Sequence, residues 1–237
     1  MIKKKINFIV DVETVGMKER KIINLGLVVG DNKGNVLETH EWNIQNNIIE
    51  GYQMPEAWQF YLARVHAVND EVTRVNTFKD CFTDILEIMT RYRTDWDIEF
   101  WSYNASFDYG AFMDNLKYEG IHLTTKQTKW FNYRWFCIWN YSANVLMNRP
   151  SYRKFAKENN HYTEKGNMIT NAEVCYRYIS NDKYFIEEHT GLADAQIEYK
   201  ILMYCKRQGK KAIKHRAGGV WQIPQKKRNE FKKDGWL

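Results

Sequence analysis

The chain has 237 residues, enough for one sizeable core and few for two large domains. Apolar residues make up 44%, with 12 Phe, 9 Trp and 15 Tyr, which excludes an intrinsically disordered polymer. The net charge of +6 is unevenly placed, because residues 206–237 carry 11 Lys and Arg against 2 Asp and Glu while the body is mildly acidic. Such a basic tail fits a polyanionic partner, nucleic acid or a membrane surface.

The apolar run after Lys3, Lys4 and Lys5 stops at Asp11, too short for a secretory signal core, and no stretch approaches the ~20 apolar residues of a membrane span. No membrane partner is expected. Cys81, Cys137, Cys175 and Cys205 lack CxxC spacing and sit among apolar neighbours, which predicts buried, reduced thiols. A cytoplasmic protein follows, and the abundance of Lys, Asn, Ile and Tyr points to a bacterial or bacteriophage-infected cell.

In chain order, Ile6 to Val10 is a continuous apolar run that predicts a strand buried on both faces, ending in Asp11, Val12, Glu13 and Thr14. Ile22 to Val29 is a second such run. Asp31 to Asn35 has the composition of a tight turn and Val36 to Ile44 reads as a third strand, so the chain starts as an antiparallel meander. Thr77 with Asp80 resembles a capping box ahead of a helical stripe at Phe78, Cys81, Phe82, Ile85, Leu86 and Met89. Ile98 to Trp101 is the next strand, and helix replaces strand at Asp108, with Ala111, Phe112 and Leu116 on one face. The aromatic middle, Trp130 to Met147, reads as a short strand followed by a helix, and a final helix runs from about Leu192 to Arg207 with Ile197, Ile201 and Tyr204/Cys205 as its stripe. A meander followed by alternating strands and helices implies an α/β fold whose mixed sheet has helices packed on both faces.

Four carboxylates stand at positions where that architecture gathers ligands. Asp11 and Glu13, two apart at a strand end, point to the same face with Cβ atoms roughly 6.5 Å apart. Asp108 and Asp194 each head the apolar stripe of a helix rather than its solvated face. Carboxylates directed at one sheet edge repel one another at a cost of several kcal/mol each unless cations lie between them. Oxygen-only ligands favour Mg²⁺ or Mn²⁺, and two such ions ~3.5–4 Å apart suit phosphodiester hydrolysis. His189 lies about 140° from Asp194 if both are helical, so it serves such a site only from the loop before the helix, with Gly191 permitting the turn. There it suits a general base.

This set resembles the DnaQ-like, DEDDh group of 3′-5′ exonucleases of the RNase H-like superfamily. The first motif stands as Asp11-Val12-Glu13-Thr14-Val15-Gly16, the second as Asn104-Ala105-Ser106-Phe107-Asp108, and the third as His189-Thr190-Gly191-Leu192-Ala193-Asp194. Ile22-Ile23-Asn24-Leu25-Gly26 looks like the family's second strand, and the sister group's tyrosine position is Thr190 here, which favours the histidine variant. The resemblance implies an RNase H-like exonuclease domain over residues 1–208, followed by a basic tail over 209–237. It also implies that Asp11, Glu13, Asp108 and Asp194 hold two Mg²⁺ or Mn²⁺ ions and that His189 is the general base. Thr14, Val15, Asn104 and Phe107 are then substrate-binding residues for the 3′ end of single-stranded DNA or RNA, DNA being favoured, with a polymerase or replication partner as a further implication.

The segment from Lys126 to Met168 looks like an insert to that family pattern. Its aromatics, Trp130, Phe131, Tyr133, Trp135, Phe136, Trp139 and Tyr141, fit either core packing or base stacking. A nucleic-acid-binding or polymerase-associated module with secondary nuclease activity is the alternative to a dedicated exonuclease, and an RNase H-like endonuclease is a third reading.

Overall fold

A computed structural model describes residues 3–16, 19–51, 62 and 72–210. Most of the expected basic tail, from residue 211 on, lies outside the described residues.

The first strand, β1 (Lys4–Val15), is buried along most of its length and pairs antiparallel with β2 (Lys21–Asp31), which pairs antiparallel with β3 (Val36–Ile44). The turn between β2 and β3 is held by Asp31, whose carboxylate accepts the Lys33 and Asn35 backbone N–H groups at 2.7 and 3.0 Å. After α1 (Gln45–Gly51), a short β4 (Thr73–Val75) lies parallel to β3. Helix α2 (Phe78–Tyr92) opens on both halves of the expected capping box, Thr77 and Asp80 each satisfying the other's backbone N–H. It leads into β5 (Trp96–Ser102), parallel to β1, and then α3 (Ala105–Tyr118), which begins three residues earlier than Asp108.

The aromatic middle holds the expected short strand and following helix, with a further helix ahead of them that the sequence reading lacked. Helix α4 (Thr125–Arg134) precedes the strand, capped by Thr124 and Gln127, and β6 is only Trp135–Cys137 before α5 (Ile138–Leu146). Helical and strand periods follow one another with no intervening turn, so neither period dominates the pattern. Nor is the segment peripheral, since β6 pairs with β5 and closes the sheet edge in the order β4-β3-β2-β1-β5-β6. The chain continues through α6 (Pro150–Glu158), α7 (Ala172–Ser180) and α8 (Gly191–Arg207).

Alternation along β1 divides the core. Ile6, Phe8, Val10 and Val12 pack with Phe78, Ile85, Phe112 and Leu116 of α2 and α3. Ile9 points the other way, into a cluster with Trp101, Tyr152, Cys175, Ile201 and Cys205 from β5 and the later helices. The mixed sheet is thus covered on both faces, as expected, and all four cysteines are buried and unpaired by disulfides. Among the described residues no helix is long and apolar enough to cross a membrane.

Candidate active site

Asp11 and Glu13 follow Ile9 in the alternation, so they leave β1 on the face that α8 covers. The pairing of β1 with β5 ends at Ile9 opposite Trp101, where Ser102 Oγ donates to the Val10 carbonyl at 2.6 Å. Beyond that point the strands part, leaving a crevice at their C-terminal ends, where α/β sheets bind ligands. On the other edge of β1, a bulge follows Glu13: Glu13 pairs with Asn24 and Thr14 with Ile22, leaving Ile23 over. Asn115 of α3 accepts the Ile22 backbone N–H at 3.2 Å and ties the bulge to the helix.

Two glycines and an asparagine place α8. The backbones of Gly26 on β2 and Gly191 touch so closely that a Cβ on Gly26 would lie 2.0 Å from the Gly191 carbonyl carbon. Asn24 Oδ1 accepts the Gly191 N–H at 2.7 Å, and the Asn24 amide is held by Asn43 Oδ1 at 2.8 Å. Gly191 therefore serves close approach, not the turn assigned to it from sequence. The left-handed backbone falls on His189 itself, at φ 56°.

The result is a cluster. One carboxylate oxygen each from Asp11, Glu13 and Asp194 lie within 4.8 Å of one another. Asp108, 3% exposed, is not among those three but lines the same cleft, and its carboxylate accepts the Val12 backbone N–H released where β1 and β5 part. His189 stands at the solvent side, 43% exposed, with Nδ1 3.8 Å from Asp194 Oδ2, beyond hydrogen-bond range. The cleft has a volume of about 300 Å³, and Tyr103, Asn104, Phe107, Trp139 and Asn171 form its other wall. A larger groove of about 490 Å³ against Tyr176, Tyr199 and Arg207 has no carboxylate among the described residues of its lining and lies apart from this chemistry.

Burial and mutual repulsion set the electrostatics. Asp11 is pushed well above the usual carboxylate range by burial, then by Asp108, Glu13, Asp194 and Glu187. Burial pushes Asp108 up to about 8 against the opposing pull of the Val12 N–H. Glu187 also rises to about 8 through burial and the neighbouring Asp194 and Glu173, partly offset by Arg177. Among the described residues no lysine or arginine lines the cleft. An oxygen-only donor set with this surplus of negative charge fits hard divalent cations such as Mg²⁺ or Mn²⁺.

No protein-family model and no curated protein matches the sequence. Solved structures do match. The nuclease domain of 3′hExo, a DEDDh family member bound to rAMP, superposes with a TM-score of 0.57 at 14% identity, over 90% of this chain and 96% of that one. The fold is that of the DEDDh 3′-exonucleases. A 3′-exonuclease solved in 3′-end-specific recognition of a histone mRNA stem-loop gives a TM-score of 0.58 at 13% identity, over 90% of this chain and 86% of that one. A full-length 3′-exonuclease gives 0.56 at 14%, with coverage of 90% and 86%.

Within this DEDDh fold the expected residues separate. Asp11, Asp108, Asp194, Asn104 and Phe107 line the cleft, Glu13 joins the acid cluster, and His189 stands beside Asp194. Thr14 is half-buried at the end of β1, whereas the Val15 side chain is fully buried with Ile23, Ile48 and Leu62, which leaves only its backbone for a ligand. Two further acids escaped the sequence reading, Glu187 and Glu198, and both line the cleft. Glu198 was legible as a carboxylate four residues after Asp194, on the helical face that continues to Ile201 and Cys205. Glu187 carried no such signal, being one of two adjacent glutamates before His189. Of the aromatic middle, Trp135 and Phe131 pack on Phe100 in the core, Tyr133 is exposed, and Trp139 lines the cleft.

Proposed function

We propose that this chain is a metal-dependent 3′-5′ exonuclease that hydrolyses phosphodiester bonds from the 3′ end of single-stranded nucleic acid and releases nucleoside 5′-monophosphates. One observation carries the reading: Asp11, Glu13, Asp108, Asp194 and His189, from three distant segments of sequence, meet at one cleft of a DEDDh fold.

Asp11, Glu13, Asp108 and Asp194 are the residues to hold two divalent ions, Mg²⁺ or Mn²⁺. Bound there, such ions supply an activated water and charge neutralisation at the leaving oxygen. His189, outside the buried acids and open to solvent beside Asp194, takes the proton of the attacking water and passes it to bulk. Phe107 offers a half-open ring to the terminal base and Asn104 an amide. A cleft of about 300 Å³ lies at the small end of ligand pockets, which favours a single terminal nucleotide. One structural neighbour is bound to rAMP and another recognises an mRNA stem-loop, which supports a nucleic-acid 3′ end as ligand and sets RNA beside DNA as substrate. The basic residues beyond Arg207 add sequence-independent, salt-sensitive grip.

The test is product analysis on matched 5′-labelled DNA and RNA oligomers with Mg²⁺ or Mn²⁺. Stepwise shortening by one nucleotide is expected, stopped by excess chelator and reduced ~10²–10⁴-fold in His189→Ala. Cutting of a closed circular single strand, or tight binding with no hydrolysis under either metal, would overturn the reading.

A further inference from the structure

Glu198, like Glu187, is a cleft carboxylate outside the set of four, and it is the more deeply buried of the two. It stands one turn beyond Asp194 on α8, and helical residues four apart present neighbouring side chains, so it continues the acidic face of α8 into the protein. Only 2% of it is exposed. It lines the cleft together with Asp11, Asp108 and Asp194, and its Oε2 is buried without a hydrogen-bond partner. A buried carboxylate that served packing alone would be expected to find a donor or a cation, or to be an apolar side chain like Ile201 one turn on. Among the described residues no lysine or arginine lines the cleft to neutralise it.

Resting on the exonuclease reading, we propose that Glu198, which lines the same cleft but stands outside the close cluster of Asp11, Glu13 and Asp194, is a fifth carboxylate of the ion-holding set, contributing from the inner side of the cleft to the binding of a divalent cation. An all-oxygen donor set gains from a fifth carboxylate, since hard ions accept six or more oxygens and each anionic ligand tightens the site. The unpartnered oxygen is then a ligand waiting for its ion, and its burial is the reason the ion would be held without competing solvent.

Calorimetric titration of the full chain with Mn²⁺ alone decides the matter, because it reads ion binding without turnover. Wild type is expected to bind Mn²⁺, and Glu198→Gln, which keeps the shape and removes the charge, to bind it ~10–100-fold more weakly with an unchanged circular dichroism spectrum. Glu198→Asp, which keeps the charge but withdraws the carboxylate by one methylene, should weaken binding as well and covers the case in which the glutamine variant fails to fold. Equal Mn²⁺ affinity and stoichiometry in a folded variant and in wild type would overturn the assignment of Glu198 while leaving the exonuclease reading intact. A wild-type chain that bound no Mn²⁺ at all would overturn both.

Discussion

The two walls of the cleft are put together in opposite ways. On one, Asp11, Asp108, Asp194, Glu187 and Glu198 stand close in low-dielectric surroundings with no basic side chain among the described residues of the lining. On the other, Tyr103 stacks on Trp139 with ring centroids 6.3 Å apart, Trp139 Nε1 donates to Thr170 Oγ1 at 2.9 Å, and the Tyr103 hydroxyl donates to the Thr170 carbonyl. The aromatic wall is satisfied by its own contacts. The acidic wall is a local loss of stability that protons relieve in acid and a divalent cation would relieve at neutral pH, which is the usual relation between a functional site and the scaffold around it.

If that contrast is right, removing charge from the acidic wall should harm catalysis and help folding. Asp11→Asn is expected to lower the hydrolysis rate by more than the ~10–100-fold typical of residues that merely support metal ligands. In chelator the same variant should melt higher, by ~2–4 °C for each kcal/mol of repulsion relieved. Activity assays paired with metal-free melts check both halves. A variant that lost activity and also melted lower without metal would mean that Asp11 holds the fold together, and the contrast between the walls would break.

The contrast also depends on α8 being fixed against β2. Gly26→Ala forces a Cβ into the Gly191 backbone, and overpacking of this kind costs ~1–3 kcal/mol. Relief by moving α8 displaces Asp194, so Mn²⁺ affinity should fall along with the melting temperature. Unchanged affinity in a destabilised variant would show that the helix yields elsewhere and that the Gly26–Gly191 contact does not set the site.

The same two walls differ in how legible they were in the sequence. Asp11, Glu13, Asp108 and Asp194 announced themselves because each breaks an apolar pattern at an element end, where a charged group needs a reason. The first two strands were equally plain, since Ile6 to Val10 and Ile22 to Val29 are nearly continuous apolar runs. The aromatic wall was hidden, because Trp139 and Trp135 are alike in composition yet one lines the cleft and the other is core. Which of them reaches the ligand is decided by the handover from α4 to β6 to α5, a packing matter that no local period records. Val15 failed in the reverse direction: its motif position suggested the ligand, and its side chain is buried in the small cluster with Ile23, Ile48 and Leu62.

A milder perturbation than mutation is pH. Asp108 and Glu187 are both pushed up to about 8, so between the ordinary carboxylate range near 4 and that value the folded chain binds more protons than the unfolded one. Their contribution is therefore greatest in acid and is lost as pH rises through 8. In chelator the melting temperature should decline from pH 5 to pH 8.5, and Mn²⁺ should flatten the decline by taking the place of the protons. A metal-free melting profile that rises over that interval would contradict the picture of a self-repelling wall.

The smallest effect belongs to the aromatic side and sharpens the contrast from there. Phe107 is 38% exposed, so Phe107→Ala opens no cavity and should change stability by less than ~0.5 kcal/mol. A ring that stacks on the terminal base is worth ~1–3 kcal/mol, but one already half in solvent sits at the low end of that range. The expected result is a KM for short oligomers raised several-fold, with kcat, Mn²⁺ affinity and the metal-free pH profile all unmoved. Tyr133→Ala, at a ring 71% exposed and outside the cleft, serves as the matched control and should leave KM unchanged. A shift in Mn²⁺ affinity on removing Phe107 would mean that the walls communicate, and that the aromatic side helps to position the acids rather than only the substrate.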